Sequence, residues 1–454
     1  MGTLNNIGNI LSSSANGSVF GGSNGINVQL LLDVALAAAE APLASLQQQQ
    51  SALQTKTKAL QGIQDDINSL TTAVGDLSSA SGAVNSLTAT SSDSTVLTAS
   101  ADPTALGGTH SIIVNSLATT SSYYTNAVAS ATTAIGTGSF QVTVGSQAAV
   151  PITVDNTNNT LTGLAAAING QKAGVTASVI NDANGARLAL VSNTSGAPGN
   201  ITITNDSTGL GFHQAVTGSN ASLVVDGVPI NSTSNTLSGV ISGATIQLTA
   251  AAPGRTVSLT LSPDASQATK AINQFVSDWN KVMQDVNSQF AVTSTGTGGG
   301  PLEADGTLRG LQNQLLSAVT TSISGNNGFV NLASIGVNMN NDGTLAVNSG
   351  TLSNALNNNF SSVHAMLQGA GGVATVLANT LKQITDPTNG SVTLDLQGFS
   401  KESQDLTQQL NAMQSQLLLQ QQTLTDQYAK MQTTLQEMPL LQNQLTEQLA
   451  ALGH

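Results

Sequence analysis

The sequence predicts an α+β multidomain chain: long N- and C-terminal helices form a coiled-coil or helical-bundle leg, and a β-rich head of two modules is inserted between them. Three observations predict this. Apolar residues recur every seven positions near both chain ends, short alternating segments fill the middle from about Ser91 to Leu261, and helical spacing returns at Asp264.

Residues 1–27 are rich in Asn, Gly and Ser with little periodicity, which predicts a disordered segment. From Gln29 to about Leu87 the spacing is helical, and Pro42 is expected in the first helical turn, where its missing N–H is not needed. Leu46, Leu53, Leu60, Ile67 and Val74 make one seven-residue line; Ile63, Leu70, Leu77 and Val84 make a second.

The middle reads as strands at Thr95–Ser100, His110–Leu117, Ser139–Val144, Ile152–Val154, Val175–Ile180 and Arg187–Val191, then at Ile201–Thr204, Ser222–Val225, Ala244–Thr249 and Thr256–Leu261. One helix, Leu161–Asn169, interrupts them. Asp264 is the expected N-cap of a helix with Ile272, Phe275, Trp279, Val282, Val286 and Phe290 on one face. Further helices are expected around Leu308–Ile323, Thr351–Leu367 and Val373–Thr385, with a hairpin turning at Asp342-Gly343.

The last helix carries Leu410, Leu417, Leu424, Met431, Met438, Leu445 and Leu452 on one repeat, joined by Leu406, Met413, Tyr428, Leu435 and Leu449. It is expected to run from Ser400 and to kink or end at Pro439. The resulting division is 28–90 and 263–438 for the helical leg, 91–125 with 218–262 for one head module, 126–217 for the other, and 439–454 as a terminal segment. Both apolar stripes must be covered, within one chain or between chains; periodicity alone leaves both open.

Composition narrows the function classes. Charged residues are 8% of the chain, against about 25% in an ordinary domain, and the net charge is −13. The eleven Lys and Arg are scattered, so no basic face is available to displace counterions from nucleic acid. The most apolar stretch, Val28–Leu46, contains Asp33, Glu40 and Pro42, which argues against a membrane span. No basic residue precedes Lys56, so a cleaved secretory signal with a positive start is not expected. The absence of cysteine excludes disulfides and thiolate chemistry.

No pattern for chemistry stands out. Gly21-Gly22-Ser23-Asn24-Gly25 matches a nucleophile elbow, but no strand-to-helix turn is expected there. His110, His213, His364 and His454 lack metal spacing. Asn338, Asn340, Asp342 and Gly343 resemble a calcium loop whose closing acid would be Ser349, so a hairpin turn is the better reading. Asp65-Asp66 and Glu303/Asp305 read as solvated faces or helix caps. Neither a cofactor nor a metal is expected, and the chain does not read as an enzyme.

Several segments in order resemble the flagellar hook-associated protein 2 family, the filament cap proteins. These are Gly25-Ile26-Asn27-Val28, Ala38-Ala39-Glu40-Ala41-Pro42-Leu43, Gly107-Gly108-Thr109-His110-Ser111-Ile112-Ile113-Val114, Val225-Asp226-Gly227-Val228-Pro229-Ile230, Ala271-Ile272-Asn273-Gln274-Phe275-Val276 and Gln444-Leu445-Thr446-Glu447-Gln448-Leu449. Asn27 stands where the family carries Asp, and Ala41 where Arg is usual. The resemblance implies export without a cleaved signal and a homo-oligomeric ring at the filament tip, with helical legs below a β-rich plate. It implies flagellin, hook-associated proteins and an export chaperone as partners. The alternatives are a hook–filament junction component and a surface adhesin using the Thr/Ser-rich modules.

Overall fold

The structure, a computed structural model, describes residues 20–21, 25–26, 28–291 and 299–451. A short antiparallel pair, β1 (Phe20–Gly21) and β2 (Gly25–Ile26), precedes helix α1 (Val28–Ser78). Then come β3 (Leu87–Ser91), β4 (Leu97–Ala101), β5 (Gly108–Ser116), β6 (Thr120–Tyr124), β7 (Gly138–Val144), β8 (Val150–Val154) and α2 (Leu161–Gly170). They are followed by β9 (Val175–Asp182), β10 (Gly185–Ser195), β11 (Ile201–Thr204), β12 (His213–Val216), β13 (Ala221–Val225), β14 (Val228–Ser232), β15 (Thr236–Ile241), β16 (Ala244–Leu248) and β17 (Val257–Pro263). The remainder is α3 (Ala265–Phe290), α4 (Gly306–Val319), hairpin β18 (Val337–Met339) and β19 (Leu345–Val347), then α5 (Ser349–Asn358), α6 (Phe360–Gln368), α7 (Val373–Ile384) and α8 (Ser391–Ala451).

The chain divides into two compact units. One holds the described residues of Met1–Val74, Asn273–Ser349 and Gly369–His454; the other holds Gly75–Ile272 and Gly350–Gln368.

In the β-rich unit, period-two alternation sends one face of each strand inward, and two separate cores result. The first lies among the five-stranded sheet β14-β13-β5-β17-β3 and the three-stranded sheet β15-β16-β4, with Leu97, Ile112, Leu223, Ile246 and Leu259 fully buried. The second lies among β12-β6-β10-β9, β11-β7-β8 and α2, around Phe140, Ile152, Leu161, Ile168, Leu188 and Leu190. Thr160 caps α2 by accepting from the Gly163 N–H.

In the helical unit α4 packs on α7 and α8, each offering an apolar stripe. Helix α3 holds the hairpin: the Trp279 indole N–H donates to the Gly343 carbonyl at 2.8 Å, and Asn280 exchanges two bonds with the main chain of Leu345. A fourth bond runs from the Asn287 amide to the Asp342 carbonyl.

A local device recurs in both units. Asp93, Asp102, Asp155, Asp206, Asp264 and Asp342 each accept from the N–H and the hydroxyl of a Thr or Ser two residues on. At Asp93, Asp102, Asp155 and Asp342 the Thr hydroxyl, then its N–H, holds the carboxyl below the usual carboxylate range.

The ten expected strands and the α2 helix appear within a few residues of their expected bounds, and Asp264 accepts from the Ser266 and Gln267 N–H groups as the expected cap. Other expectations are corrected. Helix α1 begins at Val28 and runs through Pro42, because Ala35, Ala37, Ala38, Ala39 and Ala41 favour helix strongly and proline removes only one hydrogen bond. It ends at Ser78, and Leu87 opens a strand. Helix α8 likewise continues through Pro439 to Ala451; on that exposed stretch water can satisfy the carbonyl left without a donor. Thr351–Leu367 is two helices broken at Asn359.

Candidate assembly surface

Helices α1 and α8 run antiparallel within the helical unit. The Gln50 amide donates to Thr407 Oγ1 at 3.2 Å. Further along, Gln54, Thr57, Lys58 and Gln61 face Leu396, Phe399, Ser400, Ser403 and Gln404 across a groove of about 430 Å3. Advancing along α1 therefore means retreating along α8. At equal rise, Val28 falls level with about residue 429 of α8.

That geometry divides the stripe. Leu53, Leu60, Ile67, Val74 and Leu410 are buried, as are Ile63, Leu70, Leu77 and Leu406. Leu46, Leu417, Leu424 and Met431 are half-buried, with Met413 and Tyr428 beside them. Met438, Leu445 and Leu449 are exposed, Leu445 to 60%, together with Leu440 and Leu441. Past the level of Val28, no described segment covers α8. Leu452, and the side chain of Leu435, lie outside the described residues, as do Ser23 of the Gly-rich motif and His454.

The buried half contains a charge cluster that the expected solvated reading of Asp65-Asp66 misses. Asp65 is exposed, but Asp66 is only 3% exposed and is ion-paired with Lys281 of α3. One turn on, a hydrogen bond shared with the Asp66 carboxyl, then burial and that neighbouring charge, pushes the Asp285 carboxyl above the usual carboxylate range. The Lys281 ammonium is pushed up, first by its hydrogen bond to Asp66. The signal was present in the sequence: Asp66 interrupts the apolar line between Ile63, Ile67 and Leu70.

The other sequence candidates have ordinary structural partners. Asp305 caps α4 by accepting from the Thr307 and Leu308 N–H groups, and Glu303 accepts from the Gly299 N–H. Asp342 is the hairpin turn. His213 bonds Asn126 and His364 bonds Asn85 through their ring nitrogens, while His110 lies 2.7 Å from Asp226. Among the described residues no three His, Cys, Asp or Glu side chains gather as a metal site, and no helix is long and apolar enough to cross a membrane.

Comparison with known proteins points one way. Residues 24–121 match the family model of the flagellar hook-associated protein 2 N-terminus, residues 218–439 that of its C-terminus, and residues 136–194 the flagellin hook IN motif. The chain is 30% identical to the B-type flagellar hook-associated protein 2 of Pseudomonas aeruginosa, over 81% of this chain and 83% of that one. It is 29% identical to the flagellar hook-associated protein 2 of Escherichia coli strain K12, over 95% and 97%. The crystal structure of the D1-D2-D3 domains of the flagellar cap protein FliD from Escherichia coli superposes with a TM-score of 0.58 at 28% identity, covering 75% of this chain and 99% of that one.

Proposed function

Because the chain belongs to the flagellar hook-associated protein 2 family, and so serves as a flagellar filament cap, we propose that it forms a homo-oligomeric ring at the distal filament tip and promotes flagellin polymerisation there. The observation that carries this reading is the divided stripe: one half is sealed inside the chain, the other presents Met438, Leu440, Leu441, Leu445 and Leu449 to solvent. Exposed apolar side chains repeating along a helix favour association, since each Leu removed from water contributes about 2 kcal/mol.

In this reading residues 28–90 and 263–438 are the leg, 91–125 with 218–262 and 126–217 are the two head modules, and 439–454 is the terminal contact segment. The stripe residues from Leu417 to Leu452 meet other copies and flagellin, and Leu46 to Val74 hold the leg together. Hook-associated proteins and an export chaperone are its other partners, and its work is mechanical rather than enzymatic. Deleting the gene should release unpolymerised flagellin into the medium, and re-expression should restore filaments. Filaments of normal length and number in the deletion strain would overturn the reading.

A further inference from the structure

Strand β9, at one end of the sheet β12-β6-β10-β9, is the longest edge strand of the β-rich unit, with eight residues. It pairs with β10 from Val175 to Asp182 without a break in register. Other edges are obstructed. β8 carries Pro151 and β14 carries Pro229, and β12 and β15 pair irregularly with their neighbours. Prolines and irregular pairing both hinder the addition of a further strand.

The bonds made by β10 show where the backbone of β9 points. Ala186 exchanges both of its main-chain bonds with Val128 at 2.8 Å. Thr125 takes the Leu188 carbonyl through its N–H and the Leu188 N–H through its hydroxyl, both at 3.0 Å. In an antiparallel pair, a residue whose groups turn away from the partner strand lies opposite one that does the same. Asn181, opposite Ala186, and Val179, opposite Leu188, therefore turn their N–H and carbonyl groups outward. So does Ala177, but there α2 fills both places. The Asn169 amide donates to the Ala177 carbonyl, and its oxygen accepts from the Ala177 N–H, each at 2.8 Å. No described residue does the same for Val179 or Asn181. Between them Ile180 is 54% exposed, with Arg187 opposite it on β10.

We propose that this edge pairs with the same edge of a second copy, antiparallel, about a two-fold axis through Ile180. It rests on the reading of the chain as self-assembling and adds a named contact to it. The occupant follows from the pattern of free groups, which complements itself. Val179 of each copy exchanges two bonds with Asn181 of the other, so every outward group of both residues is used. Ala177, already held by Asn169, falls opposite Ala183, which lies in the turn after β9, and the pairing stops there. A longer foreign strand would run on into Asn169 at one end and that turn at the other.

The side chains agree with this register. The two Ile180 side chains meet in the close, non-hydrogen-bonded position and shield each other from water. Asp182 of each copy, ion-paired with its own Arg187, falls opposite Ser178 of the other. The two Arg187 positions are three strand spacings apart, about 14 Å, too far to repel strongly in physiological salt. A two-fold contact stops at two copies, and one this small acts where copies are already held close together.

The natural lack of cysteine makes the test direct. Full-length Ile180→Cys should give a disulfide-linked dimer and nothing larger on mild oxidation, because facing residues at this position bring their Cα atoms to about 4.5 Å, within disulfide reach. Leu106→Cys, 76% exposed but off this edge, reports chance collision and should stay monomeric. Adding Asn181→Pro to Ile180→Cys removes an N–H that no described bond uses, so the circular-dichroism spectrum should persist while the dimer band is lost. A monomeric Ile180→Cys variant, equal cross-linking of the two single variants, or a dimer band untouched by the proline would each overturn the pairing. Should the proline unfold the chain, the two single variants decide alone. The result separates from that of the capping reading. A specific dimer, with normal filaments in the deletion strain, would keep the contact and remove the cap role; a deletion phenotype with no cross-link would do the reverse.

Discussion

Replacing Asn280 by alanine removes two of the four side-chain bonds that tie the β18–β19 hairpin to α3, leaving those of Trp279 and Asn287. The Leu345 N–H and carbonyl face α3 rather than β18, because the neighbouring residues Asn340 and Thr344 are the pair bonded across the hairpin. Leu345 is buried, so its main chain would lose its donor and its acceptor with little water to replace them. An unpaired buried group costs about 1–3 kcal/mol; with Asn280 itself half-buried, about 2–3 kcal/mol in total is expected. The chain has a single tryptophan, Trp279, bonded to the same hairpin, so its fluorescence reports unfolding of this unit without labelling. With a urea slope of about 2 kcal/mol per molar, the midpoint should fall by about 1 M. Asn280→Asp, which still accepts from Leu345 but cannot donate, should fall between. A midpoint within about 0.2 M of the parent's would show that the hairpin is held without Asn280.

Three further outcomes are expected. Ile67→Ala should destabilise the purified chain by about 3 kcal/mol in the same urea assay, while Leu445→Ala should change it by under about 0.5 kcal/mol yet weaken tip binding in filament pull-downs. Asp285→Asn should flatten the pH dependence of stability: the folded-state pKa of Asp285 lies above its unfolded value, so its contribution is complete at acid pH and fades as pH rises through the folded value. Thermal melts from pH 4 upward should show the parent losing stability relative to the Asn variant, and parallel curves would refute the shared proton. Leu417→Asp with Leu424→Asp should abolish capping in a motility assay while the strand circular-dichroism signal persists, and full motility would show that the stripe is dispensable.

Much of this molecule was legible because its signals are periodic. Spacing of seven located α1 and α8, and spacing of two located ten strands. Between Leu87 and Pro263, five strands escaped for physical reasons. Thr120–Tyr124 and His213–Val216 carry polar or aromatic residues on an outer face, so their alternation is blurred. The helical reading that ran to about Leu87 met Leu87–Ser91 at its end; the edge strand Val228–Ser232 buries none of its residues, and in the edge strand Thr236–Ile241 the buried Leu237 and Ile241 flank an irregularity in pairing that breaks the period of two. Both prolines misled the helix bounds, since one lost hydrogen bond is small against helices of 51 and 61 residues. The stripe was legible as a line, but not where its covered half ends. That boundary depends on the offset between α1 and α8, which sequence spacing does not contain.

The paired-residue turns at Asp93, Asp102, Asp155, Asp206, Asp264 and Asp342 have a consequence for where the protein can work. Each acid finds its donors two residues away, so the turn can form as soon as that short segment is free, before any distant strand arrives. Attraction over so short a span is scarcely screened by dissolved ions, whose influence is felt mainly between exposed charges farther apart. The corners of the fold are therefore each held within a few neighbouring residues and should form alike in dilute and concentrated salt.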